Sequence, residues 1–340
     1  KHALACFVKS WSTLEMTFCP KKLQLQSQRK PIAWAKLIGR CLVSCVMVLL
    51  SQFAMSLVPR FFSASPFLIQ FSLSALLLVL VLGLGGWCRR LLGIHASAPA
   101  FIFFTVLFIW FFYVTVIRQA VSVIMDAFFN GEVAMLLIGL CSILKSDPGL
   151  ERYGCSDKPE LDAHEELELS PSGLCHESTE GSDLGRRVRY CKSCKAYIRG
   201  FDHHCPAFGN CIGQKNRLLF VVLLVGFLIT EASYLACSSE YTARLQINKI
   251  RLETSLSGNL AVSTAIFSIL QLSWQVLFLT WHVYCVFFDI RTEEWVNWKK
   301  YPEFQIFVES QPGQSSTEMR FANPYDKGIL QNLKEFVSLR

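Results

Sequence analysis

An all-α polytopic membrane protein, with about six transmembrane helices and a small cytosolic cysteine-rich loop between the fourth and the fifth, is the fold class that three observations predict. The 340 residues are 52% hydrophobic and 17% charged, with a mean hydropathy of +0.36, an apolar excess that a soluble domain of this length does not carry. Six apolar runs punctuate the chain, each close to the roughly 20 residues that a bilayer core demands. Cysteine and histidine crowd into one basic segment, "YCKSCKAYIRGFDHHCPAFGNC" from Tyr190 to Cys211. Of the fourteen cysteines, Cys41, Cys45, Cys88, Cys141, Cys237 and Cys285 lie inside apolar runs, where they behave as small hydrophobes rather than as a disulfide scaffold. No nucleic-acid partner is expected.

The elements follow in order. Residues 1–36 form a cytosolic N-terminal segment in which Lys21, Lys22, Arg29, Lys30 and Lys36 approach the first span, 37–58; positive charge there predicts a cytosolic amino terminus. No short apolar core with a small-residue cleavage site precedes this span, so the span itself is expected to direct insertion. The second span, 66–88, stops at Arg89 and Arg90, and the third, 101–117, is aromatic throughout. The fourth, 122–144, carries Asp126, Asn130 and Glu132, which would be costly against lipid. Parity nevertheless asks for it: with the amino terminus and Arg89–Arg90 inside, only an even number of crossings returns the basic segment Arg186–Arg199 to the cytosol. Residues 145–189 hold Asp147-Pro148-Gly149 and an acidic tract, with ten Asp or Glu from Glu151 to Asp183, predicted to be a flexible cytosolic loop. The cysteine cluster occupies 190–217, spans five and six 218–237 and 260–288, and a cytosolic tail 289–340.

The cluster offers six donors, Cys191, Cys194, His203, His204, Cys205 and Cys211, where a tetrahedral metal takes four. Cys191 and Cys194 have the C-x2-C spacing that lets two thiolates bite one zinc from a tight turn. With one histidine and Cys211 they make a Cys3His set of structural type, and in the reducing cytosol such spacing points to metal or catalysis rather than a disulfide. A metal-free group of thiols is the alternative. The remainder is Cys205 and the other histidine, a nucleophile beside a base, and spacing leaves open which histidine that is. Asp202 is placed to hold such an imidazole in one tautomer, the third role of a triad, unless it merely caps a turn. A thiolate a few residues from a span sits where a long-chain acyl thioester presents its carbonyl while its tail lies in the membrane.

At this point the residues carry a family resemblance. "DHHCP" from Asp202 to Pro206, followed by "GNCIGQKN" from Gly209 to Asn216, resembles the signature of the DHHC-type protein S-acyltransferases. "DPG" at Asp147 to Gly149, "RTEE" at Arg291 to Glu294, which resembles the family's TTxE element, and "NPYDKG" at Asn323 to Gly328 occur at the matching places, so the resemblance covers about residues 133 to 335. It implies that Cys205 accepts the acyl group, that His203 is the base and Asp202 its orienting carboxylate, and that His204 joins Cys191, Cys194 and Cys211 around one structural zinc ion. It also implies ping-pong transfer from palmitoyl-CoA or another long-chain acyl-CoA to cytosolic cysteines of membrane-associated proteins. By the same resemblance the protein resides in Golgi, endoplasmic reticulum or plasma membrane with a cytosolic active site, the last two spans line the acyl cavity, and basic residues near the cluster meet coenzyme A phosphates. For Arg186, Arg187, Lys215 and Arg217, attraction to anionic lipid headgroups is an equal alternative.

The departures are informative. Family members usually hold two Cys3His sites, but here Tyr190 stands where the pattern has histidine, Tyr197 where it has cysteine, and no upstream C-x2-C exists because Cys155 and Cys175 stand alone. The usual Pro-Trp after the active cysteine is Pro206-Ala207-Phe208. Tyr190, Tyr197 and Phe201 are expected to cover the missing metal by packing. These departures make a non-catalytic membrane scaffold, binding partners through the zinc loop, the rival reading. In the tail, Thr292 and Glu293 either pin it to the loop or start an interfacial helix, and Trp295, Trp298, Lys299 and Lys300 suggest an interfacial anchor. His282 is expected to be a satisfied core or cavity residue.

Overall fold

The computed structural model describes residues 34–151, 187–247, 256–309 and 317–338. The N-terminal segment up to Ala33, Arg186, Cys155, Cys175 and nearly all of the acidic tract lie outside the described residues. Six helices are long and apolar enough to cross a membrane, spanning 36–61, 67–91, 98–120, 123–145, 217–244 and 256–287, so the chain is a multi-pass membrane protein of the expected helical class. The helices are α1 (Trp34–Phe61), α2 (Phe67–Leu91), α3 (Ala98–Phe112), α4 (Val123–Lys145), α5 (Arg217–Ile247) and α6 (Leu256–Phe287). Helix α3 runs on through a π turn, Tyr113–Ile117, and a 3-10 turn, Arg118–Ala120.

Local chemistry sets the helix ends. Ser97 and Ser122 occupy N-cap positions, their hydroxyls accepting the N–H groups of Ala100 at 3.4 Å and Met125 at 3.3 Å. The polar residues of α4 are partnered inside the bundle. Asp126 accepts the Tyr113 hydroxyl at 3.0 Å and the Arg118 guanidinium at 3.0 Å, Asn130 accepts the Trp110 indole N–H at 2.9 Å, and Glu132 accepts the Ser233 hydroxyl at 3.1 Å. Their desolvation is thereby offset except at Glu132 Oε2, which is buried without a partner among the described residues, and α4 runs its full length. Helix α5 extends ten residues past the expected end at 237 because Cys237 and Tyr241 are buried against Tyr113, Ile117 and Ala120 at the end of α3. Helix α6 begins four residues before 260, where Gly258 and Asn259 are already buried, and the Tyr234 hydroxyl of α5 donates to Thr264 at 2.7 Å.

The loop and tail contain short strands that the apolar pattern did not signal. Strands β1 (Leu150–Glu151), β2 (Val188–Cys191) and β3 (Ala196–Arg199) form an antiparallel sheet in the order β1-β3-β2. Strands β4 (His203–Cys205) and β5 (Asn210–Ile212) form a hairpin. In the tail, a short helix α7 (Thr292–Asn297) is followed by the hairpin β6 (Gln305–Glu309) and β7 (Thr317–Phe321) and by helix α8 (Ile329–Ser338). Trp295 and Trp298 pack edge-on against Phe321, at ring separations of 5.3 and 5.7 Å, so these two aromatics fasten the tail hairpin.

Candidate active site

Strand geometry sorts the donors. Side chains alternate along a strand, so in β4 His203 and Cys205 share one face and His204 takes the other. His204 lies opposite Cys211 in the β4–β5 register. The turn between them, Pro206 to Gly209, closes with the Gly209 N–H on the Pro206 carbonyl at 3.1 Å and puts Gly209 at φ +58°, in the left-handed region. The second hairpin brings Cys191 at the end of β2 beside Cys194 in the β2–β3 turn, where the Cys194 N–H donates to the Cys191 sulfur at 3.4 Å.

The four ligand atoms of Cys191, Cys194, His204 and Cys211 lie within 4.8 Å of one another. His204 Nδ1 is 3.5 Å from Cys194 Sγ and 3.4 Å from Cys211 Sγ, and the two sulfurs are 3.2 Å apart. A tetrahedron with bonds of about 2.0–2.3 Å has edges of roughly 3.5–3.8 Å. Three thiols and an imidazole at this spacing therefore fit one zinc ion. Phe201 and Ile198 pack beside Cys191 and Cys211 and dry the cluster. Tyr190 and Tyr197 face each other across β2 and β3 with rings 5.1 Å apart, and both are about half exposed.

The opposite face of β4 carries a linked carboxylate and imidazole. Asp202 is fully buried, and its Oδ2 accepts the His203 Nδ1–H at 2.6 Å and the Thr292 hydroxyl at 3.1 Å. Its Oδ1 accepts the Thr292 N–H at 3.0 Å, while its backbone carbonyl accepts the Glu293 N–H at 2.9 Å. The start of α7 thus does both things expected of it, opening a helix and pinning the tail to the loop. Burial alone would raise the Asp202 carboxyl, yet the His203 hydrogen bond and the positive charges of His203 and Arg217 hold it well below the usual range. Burial disfavours a charged His203, but hydrogen bonds to Asp202 and Cys205 and their charges outweigh it and push the imidazole up to about 10. Cys205 is buried and packs with Leu136, Leu140, Ile143 and Phe220.

That apolar cluster borders a cavity. The cavity lies among α3, α4, α5 and α6, and four residues in its wall, Ile102, Val106, Leu136 and Phe227, belong to the apolar cluster around Cys205. The last two spans alone do not line it; α3 and α4 supply half of the wall.

The hairpin is held by polar locks. Asn210 donates to the carbonyls of Ile143 and Ser146, both at 2.9 Å, satisfying the end of α4. Asp147 accepts the N–H groups of Gly149 and Leu150 and pairs with Lys215 at 2.8 Å. Gly213 passes so close to this turn that a Cβ would stand 2.3 Å from the Pro148 carbonyl oxygen. Of the basic residues expected to meet phosphates or headgroups, Arg187, Arg217 and Lys215 are described. Arg187 is buried, with its guanidinium forked onto Glu294 at 2.6 and 2.8 Å and on Asp289 at 2.6 Å, and it stacks 4.2 Å from the Tyr325 ring. Arg217 is also buried and donates to the Ile290 carbonyl at 3.0 Å. Bidentate pairing to carboxylates from the tail is what draws Arg187 inward; of the three described, Lys215 is the exposed one. His282 is the expected core or cavity residue. It is indeed buried, but its Nδ1 stands 4.0 Å from Asp202 Oδ2, and its ring meets Phe220 and Phe278 edge-on at 4.8 and 4.6 Å. Its place on α6 one turn and a half before the chain leaves the membrane was the available signal.

Residues 175–299 match the DHHC palmitoyltransferase family. Palmitoyltransferase Hip14 of Drosophila melanogaster is 29% identical over 224 residues, 60% of this chain and 32% of that protein. Palmitoyltransferase ZDHHC3 of Rattus norvegicus is 32% identical over 104 residues, covering 30% of this chain and 34% of that protein. Palmitoyltransferase AKR1 of Mortierella alpina is 26% identical over 193 residues, covering 52% and 34%. The alignments span about a third of the length of these curated relatives.

Proposed function

Because residues 175–299 carry a DHHC palmitoyltransferase domain, we propose that this chain is a protein S-acyltransferase that moves a long-chain acyl group from an acyl-CoA to cysteines of membrane-associated proteins. The observation that supports this most directly is the junction at Cys205. One side of it is the Asp202–His203 pair, and the other is the apolar cluster that forms part of the wall of the cavity among α3 to α6.

In the first step the Cys205 sulfur, its proton passed to His203, attacks the thioester carbonyl carbon and forms a new C–S bond. The bond to the coenzyme A sulfur breaks, and the His203 imidazolium returns the proton to that leaving thiolate. In the second step His203 takes the proton of the acceptor cysteine, whose sulfur attacks the acyl-Cys205 carbonyl, and Cys205 leaves. Asp202 holds His203 in the tautomer with its proton on Nδ1, which leaves Nε2 to work on sulfur, and it stabilises the imidazolium. Thr292 fixes Asp202 in turn. The acyl tail occupies the cavity, and the acceptor approaches from the cytosolic side. Cys191, Cys194, His204 and Cys211 would hold one zinc ion, which when bound would cross-link the two hairpins and supply folding energy rather than chemistry.

The two steps can be separated. The purified, metal-loaded protein is loaded with labelled palmitoyl-CoA, freed of excess donor, and given a membrane-anchored peptide bearing one cysteine. Transfer of label from protein to peptide supports the enzyme. A folded protein that captures the peptide but neither takes up nor passes on label supports the scaffold reading instead.

A further inference from the structure

The inner arginines beside the tail are not balanced. Arg187, Arg217 and Arg291 gather around two carboxylates, Asp289 and Glu294, so this buried group carries one excess positive charge when both acids are ionised. Arg187 takes both oxygens of Glu294 and Oδ2 of Asp289. That leaves Asp289 Oδ1 to serve the other two, at 3.9 Å from Arg217 and 3.6 Å from Arg291, both beyond good hydrogen-bond length. The Arg217 and Arg291 side chains are 4% and 5% exposed, and the Nε of each finds no acceptor among the described residues.

Both arginines line one narrow pocket that opens to solvent. Gln214 and Asp289 complete its inner wall, and Glu335 and Phe336 of α8 form its rim, with the Arg217 guanidinium 5.6 Å from the Phe336 ring. Glu335 is already engaged by Lys327 at 3.3 Å and Gln331 at 2.8 Å. A buried guanidinium with an unmet donor costs desolvation that an incoming oxyanion would recover. Arg217 opens α5 and Arg291 follows α6 by four residues, so the pocket lies at the level where lipid headgroups lie. Helix α8 beside it exposes Leu330 at 84%, Leu333 at 40% and Val337 at 53%, an apolar face suited to the interfacial layer of a bilayer.

We propose that this pocket binds a phosphate group, supplied by the headgroup of an anionic phospholipid. Guanidinium donors suit the spread oxygens of a phosphate better than a carboxylate already shared among three partners. Arg291 stands where the resembled TTxE element has its first threonine.

The test compares thermal unfolding of the full chain in nanodiscs of phosphatidylcholine alone and of phosphatidylcholine with phosphatidic acid. A third arm is phosphatidylcholine with inorganic phosphate in solution. Phosphatidic acid is expected to raise the midpoint and to remain bound through washing, more than inorganic phosphate does. Arg291→Thr is expected to lose that lipid-dependent shift whatever its own baseline stability, and Lys215→Gln, an exposed lysine outside the pocket, to keep it. Equal midpoints in all three arms, or a shift that survives Arg291→Thr, would overturn the site. Protection by inorganic phosphate without any by phosphatidic acid would overturn the lipid source.

Discussion

The hairpins β4–β5 and β2–β3 give donors to the same four-residue cluster but are held in place differently. β4–β5 is enclosed: all three residues of β5 are buried, Asn210 locks it to α4, and Asp202 locks it to α7. β2–β3 leaves Tyr190 and Tyr197 about half exposed, and besides the Cys191 and Cys194 sulfurs it is held by Ile198, by β1 alongside β3, and by Arg187 and Arg189 on Glu294, Asp289 and Glu303 of the tail. Position, in other words, comes from α4 and α7 for one hairpin, and from β1, the tail and the shared cluster together for the other. The chemistry is placed on the hairpin that depends less on metal.

Metal removal should break this contrast most visibly. Structural zinc is worth about 10–16 kcal/mol in small zinc-finger peptides, so chelation, or Cys194→Ser, should release β2–β3 first. Hydrogen exchange followed by mass spectrometry is expected to lose protection at 188–199 before 203–212; simultaneous loss would mean the hairpins are one unit.

Asp202→Asn tests the enclosed hairpin next. Acylation of Cys205 should slow by about 10²-fold or more, the usual reach of an oriented acid–base group, measured by single-turnover labelling. The His203 shift also predicts a pH effect. A pKa raised in the fold from 6.5 to about 10 gives stability that is fully present below about pH 6.5 and is lost as pH rises through 10. The wild-type unfolding midpoint should therefore fall over that range, and the fall should flatten in Asp202→Asn.

Arg187→Met would leave Glu294 and Asp289 without their shared partner inside the protein, at a cost of about 3–5 kcal/mol. Chemical denaturation of the detergent-solubilised protein would read this, and the double variant Arg187→Met with Glu294→Leu should recover part of it. Tyr197→Ala is expected to have the smallest effect, about 0.5–1 kcal/mol for a cross-strand aromatic pair, with acylation unchanged.

Much of the fold was legible because membrane helices follow from apolar length, and six runs gave six helices. Their ends were less so: Cys237 and Tyr241 extend α5 through packing against α3, which no single run reveals. The strands were hidden since three- and four-residue strands built from cysteine, histidine and tyrosine have no apolar alternation. At the site, donor counting named all six groups but could not divide them. His203-His204-Cys205 read as a strand would have done so, since neighbours point apart and alternate residues point together. Arg187 was misplaced because its partner Glu294 lies 107 residues away in sequence; His282 is buried as expected, but its nearness to Asp202, 80 residues away, was not legible.

The most direct measurement is mass spectrometry of the folded, metal-loaded protein after exposure to palmitoyl-CoA, with peptide mapping before and after hydroxylamine. One hydroxylamine-labile palmitoyl group on Cys205, absent from Cys205→Ser and still formed by Tyr197→Ala, is the expected result. An unmodified Cys205 in folded protein, or a label that persists in Cys205→Ser on another cysteine, would contradict the assignment of the nucleophile.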